Sequence, residues 1–300
     1  MPQAGGGAVL LRARAKVNLY LHVTGKRPDG YHELDSLMVF PDLWDELVLE
    51  RAGELSLEVA GPFAAALEAE GGENLALRAA RLLAAEAGGG RGARLRLTKN
   101  LPVAAGIGGG SADAAAALRG LCRFWDLDLP AGRLEALALD LGADVPPCLE
   151  SRPVFARGIG ELLTPAPDLP PFWLVLVNPG VPVATAKVFK ARAGGFSAAV
   201  EAPTEPLADL DALLAFLARS GNDLEPVAVT LAPEVGAVLA ALRRLAGCRF
   251  ARMSGSGATC FGLFEGAAEA EAAAAELAAA HPDWWVAAAP VTVERGPVAD

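Results

Sequence analysis

Residues 8 to 21 read as strand material, and Ala15-Lys16-Val17-Asn18-Leu19-Tyr20-Leu21-His22-Val23 alternates polar and apolar. This two-residue period predicts strand. Residues 34–40, 45–50, 55–59 and 93–98 have the same character, and Gly25, Pro28, Asp29 and Gly30 mark a loop between the first two stretches. The period then lengthens. Leu75, Ala79, Leu82 and Leu83 share one face of a helix that opens at Glu73-Asn74 and runs to about Ala87. Further helices are predicted from Ala114 to about Trp125, over 132–141 with a stop at Gly142, and over 184–191, 207–219, 233–245 and 267–280. Short extended pieces fall at 154–157 and 162–163, and strands at 172–178, 250–253, 259–264 and 284–293. The run Pro165-Ala166-Pro167-Asp168-Leu169-Pro170-Pro171 interrupts regular structure and suggests a nearby domain boundary. Strands and helices mix without regular βαβα alternation, so the pattern predicts an α+β fold in two halves, residues 1–160 and 161–300. No repeat of fixed period is visible.

Between the strand at 93–98 and the helix after it lies Leu101-Pro102-Val103-Ala104-Ala105-Gly106-Ile107-Gly108-Gly109-Gly110-Ser111-Ala112-Asp113-Ala114. A helix N-terminus presents unpaired N–H groups and the positive end of its dipole, which suits an anion. Glycines allow close approach of a phosphate and a positive φ, expected here at Gly109. Ser111 offers a hydroxyl to phosphate or to a metal. The plainer alternative is a flexible turn capped by Ser111 or Asp113. No lysine follows the glycines, so this is not a Walker loop, and the spacing of Gly106, Gly108 and Gly110 does not fit a dinucleotide fingerprint.

Composition narrows the class. The 300 residues are 53% hydrophobic and 21% charged, ample for a large core. A net charge of −10 argues against general nucleic-acid binding, though a local pocket can still attract a small anion. Cysteines 122, 148, 248 and 260 form no C-x-x-C pair and read as small buried hydrophobes in a reducing compartment. No signal peptide and no transmembrane run are evident, so a cytoplasmic protein without membrane association is expected.

Four further clusters could carry chemistry. Lys16 and Asn18 share a strand face with Tyr20; alone, they would read as solvent-facing. Gly30-Tyr31-His32 could stack on a ring and read its edge, or simply cover core. Gly142-Ala143-Asp144-Val145-Pro146-Pro147 places Asp144 in a rigid turn, as a fixed base or metal ligand, or as an ordinary turn residue. Met253-Ser254-Gly255-Ser256-Gly257-Ala258-Thr259 is a second glycine loop, gripping an anion or forming a simple hairpin. His22, His32 and His281 are too scattered to suggest a metal site.

Together these segments resemble the GHMP kinase superfamily. Residues 15–34 look like the opening motif of its members that act on a cytidine-diphosphate-linked methylerythritol. Pro102–Ala114 resembles the ATP loop, Gly142–Pro146 the Gly-Ala-Asp-Val-Pro motif, Ser254–Thr259 the third motif, and Asn222-Asp223-Leu224 also fits. Ile107 stands where leucine is frequent, and both termini carry extra residues. The resemblance implies an N-terminal domain like domain 2 of ribosomal protein S5, a ferredoxin-like C-terminal domain, and an active site between them. It implies transfer of the ATP γ-phosphate to the 2-hydroxyl of that substrate, in the non-mevalonate route to isoprenoid precursors, with ATP and Mg²⁺ as cofactors. Asp144 would be the base and Lys16 its orienting and charge-stabilising partner. Pro102, Val103, Ala104, Ala105, Gly106, Ile107, Gly108, Gly109, Gly110 and Ser111 would wrap the triphosphate, and Asn74, Leu75 and Lys99 would line the adenine side. Tyr31 and Phe189 would sandwich the cytosine, His32 would read its edge, and Asn18 and Thr185 would hold the sugar-alcohol phosphate end. The partners implied are small molecules only, and the protein itself a monomer or homodimer. Two alternatives stay open: a relative acting on homoserine or a mevalonate derivative, which lack a base for Tyr31 and His32, and a nucleotide sensor without catalysis.

Overall fold

The computed structural model describes residues 8–291. Strands β1 (Val9–Arg14), β2 (Val17–Lys26), β3 (His32–Val39), β4 (Trp44–Glu50) and β5 (Leu55–Ala60) come first. Helices α1 (Ala64–Glu70) and α2 (Leu75–Glu86), strand β6 (Ala93–Thr98), and helices α3 (Gly109–Phe124), α4 (Arg133–Leu141) and α5 (Val145–Glu150) follow. Then come β7 (Val154–Gly158), β8 (Leu162–Pro165), β9 (Phe172–Asn178), α6 (Thr185–Ala191), α7 (Leu210–Leu217), α8 (Glu225–Leu231) and α9 (Pro233–Leu242). The described chain closes with β10 (Phe250–Met253), β11 (Cys260–Phe264), α10 (Ala267–Ala280) and β12 (Trp285–Val291).

These strands form three four-stranded sheets, β1-β4-β6-β5, β2-β3-β7-β8 and β10-β11-β9-β12. Among these twelve strands, β5 and β6 pair in parallel and the other pairs are antiparallel. In the first sheet, alternate residues of β4 and β6 point inward, and Leu47, Leu49, Leu95 and Leu97 bury against α2 and α3. Both helices present alanines there, including Ala79, Ala80, Ala114 and Ala117, so they lie close to each other and to the sheet. The third sheet is a split βαβ arrangement, strand–helices–strand–strand–helix–strand, with spatial order β12-β9-β11-β10. Its ferredoxin-like topology agrees with the expected second half.

The stretch at 8–21 departs from the expectation of one strand. It breaks at Ala15-Lys16: β1 pairs with β4 and β2 pairs with β3, in different sheets. At the break the backbone finds other partners, Ala15 N–H donating to Leu43 O at 2.9 Å and Lys16 N–H to Ile107 O at 2.8 Å. The face holding Lys16, Asn18 and Tyr20 is not solvent-facing either, since all three are buried. Tyr20 packs edge-on against Phe216 with ring centroids 6.0 Å apart and donates its hydroxyl to Asp35 at 3.1 Å. Burial beside that carboxylate pushes the Tyr20 phenol far above its ordinary pKa. Asp35 also accepts from Arg157 Nε at 3.0 Å and Val200 N–H at 2.7 Å, so one buried carboxylate joins β3, β7 and the segment before α7.

Three short helices escape the periodicity reading. α1 and α8 have seven residues each, too few for a clear helical period, and the two prolines of α5 disguise it as a turn. Those prolines sit in the first turn, where the missing N–H groups would have no intrahelical acceptor anyway. All four cysteines are free thiols; Cys148 and Cys260 are buried and Cys122 and Cys248 partly so.

Candidate active site

The glycine-rich run leaves β6, turns at Lys99-Asn100, and enters α3 at Gly109. Positive φ falls on Gly106 (75°) and Gly108 (63°), not on Gly109, which already begins the helix. At Gly106 two requirements coincide. A Cβ there would lie 2.6 Å from Ser254 O and 2.7 Å from Gly257 O, because the second glycine loop crosses directly against the first. Ser254 Oγ donates to Gly106 O at 2.9 Å, and Thr259 N–H donates to Ala105 O at 3.1 Å. The second loop is thus a β10–β11 connection that braces the first from behind. Asn222 fixes it in turn, its Nδ2 donating to Met253 O and Gly255 O, each at 2.8 Å.

Below the loop lies a buried charge cluster. Lys99 Nζ donates to Asp113 Oδ2 at 2.8 Å and to Asp45, while Asp45 Oδ1 accepts from Leu101 N–H at 2.8 Å. The other Asp113 oxygen is buried without a hydrogen-bond partner. Burial raises the Asp113 carboxyl to about 7, against the pull of Lys99 and with the neighbouring Asp45 charge adding to it. The Lys99 ammonium, held between two carboxylates, sits above its ordinary value despite its burial. Lys99 therefore turns its charge inward, under the loop. Periodicity gave no hint of Asp45 or Asp113: they meet Lys99 only through the pairing of β4 with β6 and the return of α3.

At the floor of the adjoining cleft, Lys16 Nζ lies 3.1 Å from Asn18 Oδ1 and 3.1 Å from Asp144 Oδ2. The lysine side chain is 5% exposed and the aspartate 47%, so a buried cation presents a reachable carboxylate. Asp144 is the N-cap residue of α5, yet its side chain makes no capping bond and is committed to Lys16. Asn18 is fixed on both sides, donating from Nδ2 to Ser36 Oγ at 2.8 Å and from its N–H to Ser254 Oγ at 3.1 Å. Cys148, one turn beyond Asp144, has its thiol pushed up to about 12 by burial, so it stays protonated and unreactive.

The cleft has a volume of about 400 Å³. It brings together Lys16, Asn18, Asn74, Leu75, Lys99, Pro102–Gly106, Gly108–Ser111, Asp144, Thr185 and Phe189. Ile107, expected in this wall, does not line the cleft: its side chain is buried and its carbonyl accepts the Lys16 backbone N–H at 2.8 Å. Asn74 caps α2, its Oδ1 accepting from Ala76 N–H at 2.8 Å. Thr185 Oγ1 and Ser256 Oγ are 2.8 Å apart. Leu67 and Glu70–Glu73 add a wall that the sequence reading did not include.

Beyond the cleft, His32 and Phe189 stack with ring centroids 4.9 Å apart and an interplanar angle of 26°. Tyr31, 60% exposed, stands beside this pair in sequence and does not line the cleft. The His32 pKa lies below its ordinary value, chiefly through desolvation, with the Lys26 and Arg192 cations adding to it. Its ring is therefore neutral at neutral pH.

Known proteins resemble this chain in sequence and fold. The sequence model of the GHMP kinases N terminal domain matches residues 74–152, and that of the GHMP kinases C terminal domain matches 198–283. A 4-diphosphocytidyl-2-C-methyl-D-erythritol kinase of Paramagnetospirillum magneticum is 58% identical over 279 residues, 93% of this chain and 97% of that protein. The chain belongs to the 4-diphosphocytidyl-2-C-methyl-D-erythritol kinase family. Its counterpart of that name from Parvibaculum lavamentivorans is 55% identical over 93% of this chain and 97% of its own length. A crystal structure of a 4-(cytidine 5'-diphospho)-2C-methyl-D-erythritol kinase superposes with a TM-score of 0.77 at 40% identity, covering 93% of this chain and 98% of that one. A homoserine kinase from Cytophaga hutchinsonii, at 17% identity and a TM-score of 0.70, shares the fold alone. The chain itself holds the Lys16–Asp144 pair and two glycine loops braced against each other.

Proposed function

We propose that the protein phosphorylates 4-diphosphocytidyl-2-C-methyl-D-erythritol with ATP at its 2-hydroxyl, a step toward isoprenoid precursors. The observation that carries this reading is the Lys16–Asp144 pair, 3.1 Å apart, at the floor of a cleft walled by the glycine loop. Phosphoryl transfer depends on positioning and charge neutralisation. The loop N–H groups at the head of α3 hold the triphosphate, and Lys16 stabilises charge as it develops. Asp144 accepts the hydroxyl proton, oriented by the ammonium beside it. Asn74 and Leu75 flank the adenine, with Lys99 beneath the loop supporting that side.

Among the described residues no cluster of three or more acidic, histidine or cysteine side chains could cage a metal. The Ser111 hydroxyl, at the head of the loop, fits Mg²⁺, which commonly binds through few protein ligands and the phosphates themselves. Mg²⁺ held by Ser111 and the triphosphate would neutralise charge on the transferred group.

Residues 1–160 supply the ATP loop, Lys16 and Asp144. Residues 161–300 supply Thr185, which with Asn18 holds the sugar-alcohol phosphate end, and Phe189. Tyr31 and Phe189 close on the two faces of the cytosine, Phe189 giving up its present contact with His32, and the neutral His32 reads the base edge. A GHMP kinase acting on homoserine or mevalonate would leave this aromatic cluster without a partner.

The test is an ADP-release assay with the cytidine diphosphate substrate, homoserine and mevalonate in parallel, with the product identified by mass spectrometry. Turnover with the cytidine substrate alone, giving one added phosphate, is expected. Turnover only with another acceptor would overturn the reading. Among the described residues no single helix is long and apolar enough to cross a membrane.

A further inference from the structure

α5 has six residues, and its only charged site group is Asp144 at its N-cap. A helix this short is not stable by itself, so its direction is set by what holds its ends. At the N-terminal end the Asp144 side chain is bound to Lys16 and provides no cap. At the C-terminal end, unpaired carbonyls need donors. Ser151 takes one share, its N–H donating to Pro147 O at 3.3 Å and its Oγ to Cys148 O at 3.0 Å. The other share comes from a different helix. Arg119 Nη1 donates to Cys148 O at 2.9 Å and to Leu149 O at 3.0 Å, and Nη2 reaches Arg12 O at 3.4 Å.

Arg119 lies on α3, whose N-terminus closes the glycine loop. One guanidinium fork therefore ties three parts together: the helix that begins at the phosphate loop, the carbonyl end of the helix that begins at Asp144, and β1, which leads into Lys16. A cation at a helix C-terminus is also favoured by the helix dipole. The fork matters, because Nη1 serves both α5 carbonyls while Nη2 reaches β1, and a lysine ammonium has no second nitrogen at a fixed spacing for that second reach.

We propose that Arg119 is a positioning residue for phosphoryl transfer: by clamping the far end of α5 to α3, it holds Asp144 in register with the phosphate loop. The inference rests on the reading of Asp144 as the base. It predicts a loss in turnover without a matching loss in binding. A misplacement of about 1 Å costs on the order of a hundredfold, and Ser151 and Lys16 limit the movement here, so a drop of about tenfold to a hundredfold in kcat is expected for Arg119→Ala. KM for ATP and for the cytidine substrate should stay within about twofold.

The experiment is steady-state kinetics of Arg119→Ala, Arg119→Lys and Asp144→Asn, with thermal melts, and with methylguanidinium added to each. The alanine variant should regain several-fold in kcat with methylguanidinium, at unchanged KM, while tetramethylammonium gives no recovery. Arg119→Lys, which keeps the charge and most of the packing, should fall between wild type and alanine, and it carries the test if the alanine variant does not fold. Normal kcat in a folded Arg119 variant, or kcat and both KM values failing together without guanidinium rescue, overturns the proposal. Substantial turnover by Asp144→Asn would instead overturn the reading of the base, so the two failures are distinct.

Discussion

The Gly106 carbonyl accepts the Ser254 hydroxyl at 2.9 Å, joining two glycine-rich loops across 148 positions of sequence. The same hydroxyl accepts the N–H of Asn18, two residues from Lys16, at 3.1 Å. One serine thus keeps the first glycine loop and the strand after Lys16 at a fixed separation. Ser254→Ala leaves the Asn18 N–H, now buried, without its acceptor, which costs about 1–3 kcal/mol. A lowered melting temperature and a raised KM for ATP are expected together. An unchanged melting curve would show that the brace carries no load.

Lys16→Ala and Asp144→Ala should each lower kcat by about 10²–10⁴-fold with the fold intact, since each removes a group that acts on the transferring phosphoryl or the hydroxyl proton. Circular dichroism and single-turnover kinetics check this. Near-normal turnover in either variant would contradict the proposed chemistry.

Gly106→Ala and Gly109→Ala should differ. At Gly106 the new Cβ meets backbone oxygens at 2.6 and 2.7 Å and φ is 75°, so neither loop can yield cheaply. At Gly109 the nearest atom is the Lys99 Nζ at 3.0 Å, the end of a side chain, and the backbone is already helical. Gly106→Ala should destabilise by about 1–3 kcal/mol and weaken ATP binding. Gly109→Ala should be milder in stability, and calorimetry with a non-hydrolysable ATP analogue separates the two.

Asp113 gives the stability a pH signature. Its folded pKa, about 7, is raised above the ordinary carboxylate value of 3.8. Between those values the folded state holds a proton that the unfolded state has lost, so this group makes stability fall as pH rises through that window. The penalty is complete above about pH 7 and absent below the unfolded value. Asp113→Asn should flatten this part of the profile. Urea melts from pH 4 to pH 8 would show it, and an unchanged slope would count against a titrating Asp113.

At the cytidine end, base–aromatic stacking is worth about 1–3 kcal/mol. Tyr31→Ala should therefore raise KM for the cytidine substrate by about 5- to 150-fold at ~1.4 kcal/mol per factor of ten, with KM for ATP little changed and Tyr31→Phe nearly silent. His32→Ala should relax the preference for cytosine over uracil. Because the His32 pKa is lowered, its neutral, edge-reading form persists below the usual histidine range. Discrimination between the two bases should fade only in more acidic solution, which kinetics with both nucleobase analogues across pH would show.

Much of this was legible in the sequence where local periodicity and fold agree. β4, β6, β9, α2 and α10 lie close to where alternation or helical spacing predicts them. The glycine run announced a loop entering a helix, and short motifs announced Lys16 and Asp144. What stayed hidden depends on contacts between distant segments. The break at Ala15-Lys16 cannot be seen in a stretch that reads as strand throughout, because it exists only where Leu43 and Ile107 supply partners. The Asp45–Lys99–Asp113 cluster arises from the pairing of β4 with β6 and the return of α3, and the bracing of Gly106 by Ser254 from contact between loops of two different sheets. Gly109 was expected to take a positive φ, which the structure gives to Gly106 and Gly108, because the helix begins at Gly109 rather than at Ala114.

β2 touches the second half of the chain along much of its length. Leu21 N–H donates to Gly221 O, Asp223 N–H returns to Leu21 O, Val23 N–H donates to the Asp223 carboxylate, and Arg252 donates to Leu19 O. A hinge along this seam would have to break these bonds together with the Ser254 bridge. The molecule is therefore built as an anvil rather than as jaws. Lys16, Asp144 and the glycine loop are held at a set spacing by the bonds of this seam and by the Lys16–Asp144 pair itself.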